Sequence, residues 1–239
     1  MCPDTDNHDL RAFDKEEAPR PELTVEEQVR MDQERNLVNV GDTIDLLRKD
    51  PTMREIYIGA GWEQRAVEED RVDIDLSCFL LDKNDMTRVD DDFIFYNQES
   101  GCEGAVRHKG DNRTGAGEGD DEIIYIDLNG VPFGVIKIAF VLSVYDDMRD
   151  GKTFDLVRDL YIRLVNNEDG HEILRLRIPE ERVTRSNVAL CFVMVREGAR
   201  WHLQVPCDTQ DSGLGALAQS YGIVIKEILG TANTTTNVK

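Results

Sequence analysis

A chain of 239 residues can bury a sizeable core, and its 48 acidic and 28 basic residues give a net charge of -20. That excess repels nucleic acid, and it repels anionic lipid unless a cation intervenes. The N-terminus shows no basic start followed by an apolar run, and no span of about 18 apolar residues occurs, so a soluble, cytoplasmic protein is expected.

One domain with tails is predicted. Residues 1–35 form an acidic extension broken by Pro19 and Pro21, with too little apolar surface to offset ordering, so its first half is expected to be mobile. Within it, Thr24 and Glu27 have capping-box spacing ahead of a short helix carrying Val25, Val29 and Met31. Leu37 to Leu47 predicts a hairpin through Gly41-Asp42, and Ile56 to Ile58 a strand ending at Gly59-Ala60-Gly61-Trp62.

From Val72 to Asp82 apolar residues alternate with Asp73, Asp75 and Ser77, which places both aspartates on one face of a strand. Asp90, Asp91 and Asp92 lead into a strand from Phe93 to Asn97, and Ala105 to His108 predicts another. After an acidic loop come Ile123 to Leu128 and then Val135 to Tyr145, the longest apolar run, expected as a central strand buried on both faces. A helical turn from Thr153 or Asp155 precedes two strand pairs: Tyr161 to Val165 with Ile173 to Ile178, and Val188 to Val195 with Trp201 to Val205.

Asp211 or Ser212 caps a final helix carrying Leu214, Leu217 and Tyr221, with Gly222 near its end. The domain is expected to span 36–229, with 230–239 a disordered tail. The fold class is mainly β, a two-sheet β-sandwich with short helices and a C-terminal helix.

The segment from Gly110 to Glu122, GDNRTGAGEGDDE, holds five acidic residues and four glycines in thirteen positions. Two carboxylates about 4 Å apart at an effective dielectric of about 20 repel by about 4 kcal/mol, so an ordered loop needs a cation. Glycines 115, 117 and 119 free the backbone to present carbonyl oxygens beside Asp111, Asp120, Asp121 and Glu122. Hard oxygen donors on a bendable loop suit calcium better than magnesium. From Asp111 the segment has EF-hand length, but Arg113, Gly115 and Ala116 break that pattern, and neither a dinucleotide fingerprint nor a P-loop is present. From Glu63 to Glu122 there are 18 acidic and 7 basic residues, a net of -11, so over half the charge imbalance surrounds this loop.

Five cysteines at wide spacings form no C-x-x-C pair, and Cys78 and Cys191 are expected as core residues. The four histidines show no local signature and receive no role.

With DIDLSCFLLD, DDFIFYNQ, GDNRTGAGEGDDE and IAFVLSVYD in that order, and GLGALAQSYG near the end, the chain resembles the TerD family of tellurium-resistance and stress-response proteins from about Asn36 to Ile225. The resemblance implies a β-sandwich that binds one or two calcium ions. The implied ligands are Asp73, Asp75, Asn97, Asp111, Asn112, Thr114, Gly117, Gly119, Asp120, Asp121 and Glu122. It implies no catalytic activity. The long acidic extension and Gly59-Ala60-Gly61-Trp62 in place of a GLGW turn depart from the family pattern.

The leading expectation is therefore a calcium-binding stress-response protein of the tellurite-resistance type, a non-enzymatic scaffold or assembly component. Its expected partners are calcium, other stress-response proteins and the inner membrane surface, to which it would be peripheral. A calcium-bridged contact with anionic membranes is one alternative. A hydrolase using Asp73 and Glu122 is another, but it needs an apolar pocket to raise one carboxylate's pKa, whereas these acids sit among acids and glycines.

Overall fold

The structure is a computed structural model that describes residues 24, 27, 30, 31, 34–65, 72–109, 119–145 and 151–224. The expected mobile first half of the extension, the 230–239 tail, and Asp111, Asn112, Thr114 and Gly117 lie outside the described residues.

Two antiparallel sheets face each other. The first follows the order β1 (Thr43–Asp45), β12 (Arg200–Gln204), β11 (Val188–Glu197), β8 (Lys137–Val144), β3 (Ile74–Leu81), β4 (Phe93–Ile94), and β13 (Asp208–Gln210) also pairs with β11. The second runs β10 (Glu172–Arg177), β9 (Val157–Asn166), β2 (Glu55–Gln64), β7 (Glu122–Asp127), β6 (Val106–His108), β5 (Ser100–Gly101). Short helices are α1 (Leu46–Lys49), α2 (Glu180–Val183) and α3 (Gly213–Ser220).

Alternation along the strands divides the apolar residues between two layers. Ile74, Leu76, Cys78 and Leu80 of β3 meet Ile138, Phe140 and Leu142 of β8 and Ile56, Ile58, Ile124 and Ile162 of the second sheet in the inter-sheet core. Phe79, Leu81, Phe93 and Val141 point the other way, where Leu214, Leu217 and Ala218 of α3 and its C-terminal cap residue Tyr221 cover them. Phe93 stacks between Phe79 and Phe95 with centroids 4.4 Å apart on each side. β8 is accordingly central and buried on both faces from Ile138 onward, as its long apolar run predicts. Cys78 and Cys191 are fully buried.

The expected hairpin at 37–47 does not form. Leu37 makes a parallel bridge to Arg175 on β10, while Thr43–Asp45 pairs with β12 in the other sheet. Gly41, at φ 93°, turns the chain from one sheet to the other, and its N–H donates to Val205 O. Asp45 then caps α1 by accepting from the N–H groups of Leu47 and Arg48, which ends the strand. Gly59 to Trp62 lies inside β2 rather than closing a strand. β4 covers only Phe93–Ile94, because Phe95 and Gln98 bond to each other's backbone and turn the chain. Upstream, Thr24 and Glu27 make the expected reciprocal capping bonds, at 3.2 Å from Glu27 N to Thr24 Oγ1 and 2.9 Å from Thr24 N to Glu27 Oε2.

Candidate metal centre

The acidic residues expected to act together enter one end of the sandwich from both sheets. Asp73 precedes β3 and its carbonyl accepts from Tyr145 N at 2.8 Å, which ties the end of β8 to the start of β3. Asp75 pairs across with Ser143 on β8 and is only 5 % exposed. Glu122 opens β7, 1 % exposed and on the face shared with Ile124 and Ile126, so its carboxylate enters the inter-sheet core.

His108 joins these groups. Its Nε2 lies 3.0 Å from Glu122 Oε2 and 3.0 Å from the Leu76 carbonyl, which links β6 of one sheet to β3 of the other. Both neighbours are acceptors, so Nε2 carries the proton. Burial pulls the imidazole pKa down, but the hydrogen bond and charge of Glu122, the Leu76 carbonyl and the charge of Asp75 outweigh it and the net shift is upward. Sequence reading gave His108 no role; nothing local marks it, since its partners lie 14 and 32 positions away.

Asp121 sits between these carboxylates and the neighbouring strand. Its N–H donates to Ala60 O at 2.8 Å and its Oδ2 accepts from Trp62 N at 3.2 Å. Burial, followed by the charges of Asp120 and Glu122, raises its carboxyl pKa against the pull of the Trp62 N–H. A cation among these groups would reverse that repulsion.

Asp120 lies on the opposite side of the second sheet. Gly59 and Gly61 leave bare backbone on that outer face; a Cβ at Gly59 would overlap the Asp120 carboxylate and one at Gly61 the Tyr161 ring. Into that space Arg163 and the Tyr161 hydroxyl project from β9 and donate to Asp120. Gly119, at φ 117°, presents its carbonyl to the same hydroxyl at 3.0 Å.

Asn97 occupies the exposed turn between Phe95 and Gln98, and its neighbour Tyr96 lines a cleft with Asp75. The structure thus brings Glu122 to His108, places Asp73, Asp75 and Asp121 at the same end with Asp75 on the outer face of β3, and turns Asp120 and Gly119 toward Tyr161. Among the described residues no group of three or more His, Cys, Asp or Glu side chains has metal-holding geometry. The chemistry of the donors, all hard oxygen, fits calcium. Among the described residues, no helix is long and apolar enough to cross a membrane.

A family profile described as the TerD domain matches residues 36–221. Tellurium resistance protein TerD of Serratia marcescens is 36% identical over 184 residues, covering 77% of this chain and 95% of that protein. General stress protein 16U of Bacillus subtilis (strain 168) is 33% identical over 186 residues, with 77% and 96% covered. In fold, the crystal structure of a homologue of telluride resistance protein (TerD) from Streptomyces coelicolor A3(2) superimposes with TM-score 0.59 at 15% identity, covering 70% of this chain and 95% of that one.

Proposed function

The chain belongs to the TerD family of tellurium-resistance and general stress proteins, and from that premise we propose that it is a calcium-binding, non-enzymatic scaffold or assembly component. The observation that carries this reading is the gathering of buried carboxylates at one end of the sandwich, where Asp75 and Glu122 act on one histidine and Asp121 is half buried beside them. Ionised groups there raise the energy of the fold unless a cation joins them.

Asp73, Asp75, Asp121 and Glu122 would hold calcium, with further donors from residues 110–118 and the Asn97 turn. Asp120 and Gly119 would anchor the acidic segment to β9. Bound calcium would supply positive charge that ties the two sheets together at this end. A hydrolase reading loses support, because Glu122 approaches an imidazole rather than a second carboxylate in an apolar pocket.

Calorimetric titration with calcium and with magnesium tests the proposal. One or two calcium sites with clearly weaker magnesium binding are expected; no calcium uptake, or equal affinity for the two ions, rules it out.

A further inference from the structure

Two cysteines oppose each other across neighbouring strands of the first sheet. β11 and β13 pair antiparallel with Val188 opposite Gln210, Ala189 opposite Thr209 and Leu190 opposite Asp208, so the next step of the same ladder sets Cys191 opposite Cys207. Both side chains enter the inter-sheet core, 0 % and 2 % exposed, and both are free thiols. Opposed residues of an antiparallel pair have Cα atoms about 4.5–5.5 Å apart, within the span that a disulfide bridges.

The backbone departs from a regular strand on each side of this pair. Cys191 lies where the register of β11 on β8 shifts between Leu190 and Phe192, and the bulge turns the chain neighbours Cys191 and Phe192 toward the same core. Cys207 has φ 48°, a left-handed conformation uncommon for any side chain, and it marks the end of the β13 ladder. The Cys191 thiol donates to Ala189 O at 3.3 Å, a weak bond that is cheaply given up.

The two thiols differ in their surroundings. Burial raises the pKa of both, and the charge of Cys207 raises that of Cys191 further, so both stay protonated and unreactive while the core is closed. Of the pair, Cys207 is the one with a cation acting on it: Arg182 of α2 pulls its pKa down against burial. β13 is three residues long and lies off the main strand order, held by β11, so it is the strand that opens at low cost. Opening exposes Cys207 beside Arg182, where its thiolate forms.

We propose that Cys191 and Cys207 form a reversible disulfide made by oxidants of the peroxide class, with Cys207 as the attacking thiol and Cys191 as the resolving one. The Cys207 thiolate attacks one oxygen of hydrogen peroxide and the O–O bond breaks, leaving a sulfenic acid at Cys207 and a hydroxide that takes up the proton lost by the thiol to become water. The Cys191 sulfur then attacks the Cys207 sulfur; the S–S bond forms, the S–O bond breaks, and the departing hydroxyl leaves as a second water with the Cys191 proton. The two thiols lose two electrons, which reduce the peroxide. None of the acidic residues of the calcium proposal takes part.

Hydrogen peroxide treatment of the full chain in chelator, followed by blocking of free thiols and tryptic peptide mapping by mass spectrometry, tests the assignment. One linked pair is expected, residues 186–196 joined to 201–226, absent after dithiothreitol and formed faster in urea below the unfolding transition. In Cys191→Ser, peroxide should leave a sulfenic acid at Cys207 that dimedone captures, whereas in Cys207→Ser, Cys191 should stay reduced. Arg182→Gln should slow disulfide formation about three- to tenfold by leaving less thiolate at Cys207. The inference is overturned if both cysteines stay free after the more exposed Cys102 is oxidised, if either joins Cys2, Cys102 or a second chain instead, if Cys191 captures dimedone in place of Cys207, or if Arg182→Gln leaves the rate unchanged. Mapping of the wild-type chain decides the case in which a variant fails to fold. Calcium uptake is no part of the readout, so failure here is distinguishable from failure of the calcium proposal.

Discussion

Arg163 grips Asp120 with both arms of its guanidinium, Nε lying 2.8 and 3.0 Å from the two carboxylate oxygens and Nη2 2.8 Å from Oδ2. The Asp120 side chain is 2 % exposed and that of Arg163 21 %. Arg163 Nη1 reaches on to Glu172 at 3.0 Å, which in turn pairs with Arg175 at 2.7 Å, and Arg175 lies over the Tyr161 ring at 4.2 Å. The exit of the acidic segment is thereby fastened to β9 and β10. Bidentate geometry fixes direction as well as proximity.

Asp120→Asn should therefore destabilise the protein, with or without calcium. Removing one partner of a buried pair costs about 3–5 kcal/mol, and partial exposure of Arg163 reduces this to about 2–3 kcal/mol. Urea unfolding measures it. An unchanged midpoint would show that the pair contributes nothing. Calcium stoichiometry should survive the substitution, since the Asp120 carboxylate is occupied by Arg163.

Gly59→Ala probes the same contact from below. A methyl group there must displace the Asp120 carboxylate, so a loss of about 1–3 kcal/mol is expected from overpacking together with the disturbed ion pair. In an Asp120→Ala background the same substitution should cost much less. A double-mutant cycle by urea denaturation gives the coupling, and strictly additive effects would contradict the cradle.

His108 should make stability fall as pH rises. Its folded pKa lies above the ordinary value, about 6.5, so between the two values the folded state holds more protons than the unfolded chain. The stabilisation is complete below about pH 6.5 and is lost as pH climbs through the folded pKa. In chelator, thermal unfolding across that window should show the decline, and His108→Gln should flatten it. A wild-type curve that rises over the same window reverses the sign and refutes the assignment.

The sandwich was legible because β-strand alternation is local: Val72 to Asp82 and Val135 to Tyr145 declare their faces without reference to the rest of the chain. Leu37 and Thr43 were misjudged as hairpin partners because the choice of sheet depends on β10 and β12, more than a hundred residues away. The carboxylates at 73, 75, 121 and 122 were visible as an acidic texture. Their division was not, since Asp120 and Asp121 are chain neighbours whose side chains meet different partners, Arg163 on β9 and Trp62 N on β2. Gly59 carried the missing signal, a glycine inside a strand where another side chain must approach.

Calcium removal should lower stability, because folding brings Asp75, Asp121 and Glu122 to one end of the sandwich and a ligand bound only by the native state adds RT ln(1 + [L]/Kd). At one hundred times Kd this is about 2.7 kcal/mol. For a domain of this size that corresponds to roughly 5–11 °C in Tm. Asp121→Asn should flatten the calcium dependence. It should also raise the Tm of the chelated protein slightly, since burial and the charges of Asp120 and Glu122 disfavour the ionised form of this carboxyl. Asp90→Asn, on the exposed turn before β4, is the control and should change neither quantity. Scanning calorimetry across a calcium series separates the outcomes: a wild-type melting curve indifferent to chelation, with Asp121→Asn and Asp90→Asn alike, would reduce the acidic end of the sandwich to a solvated rim.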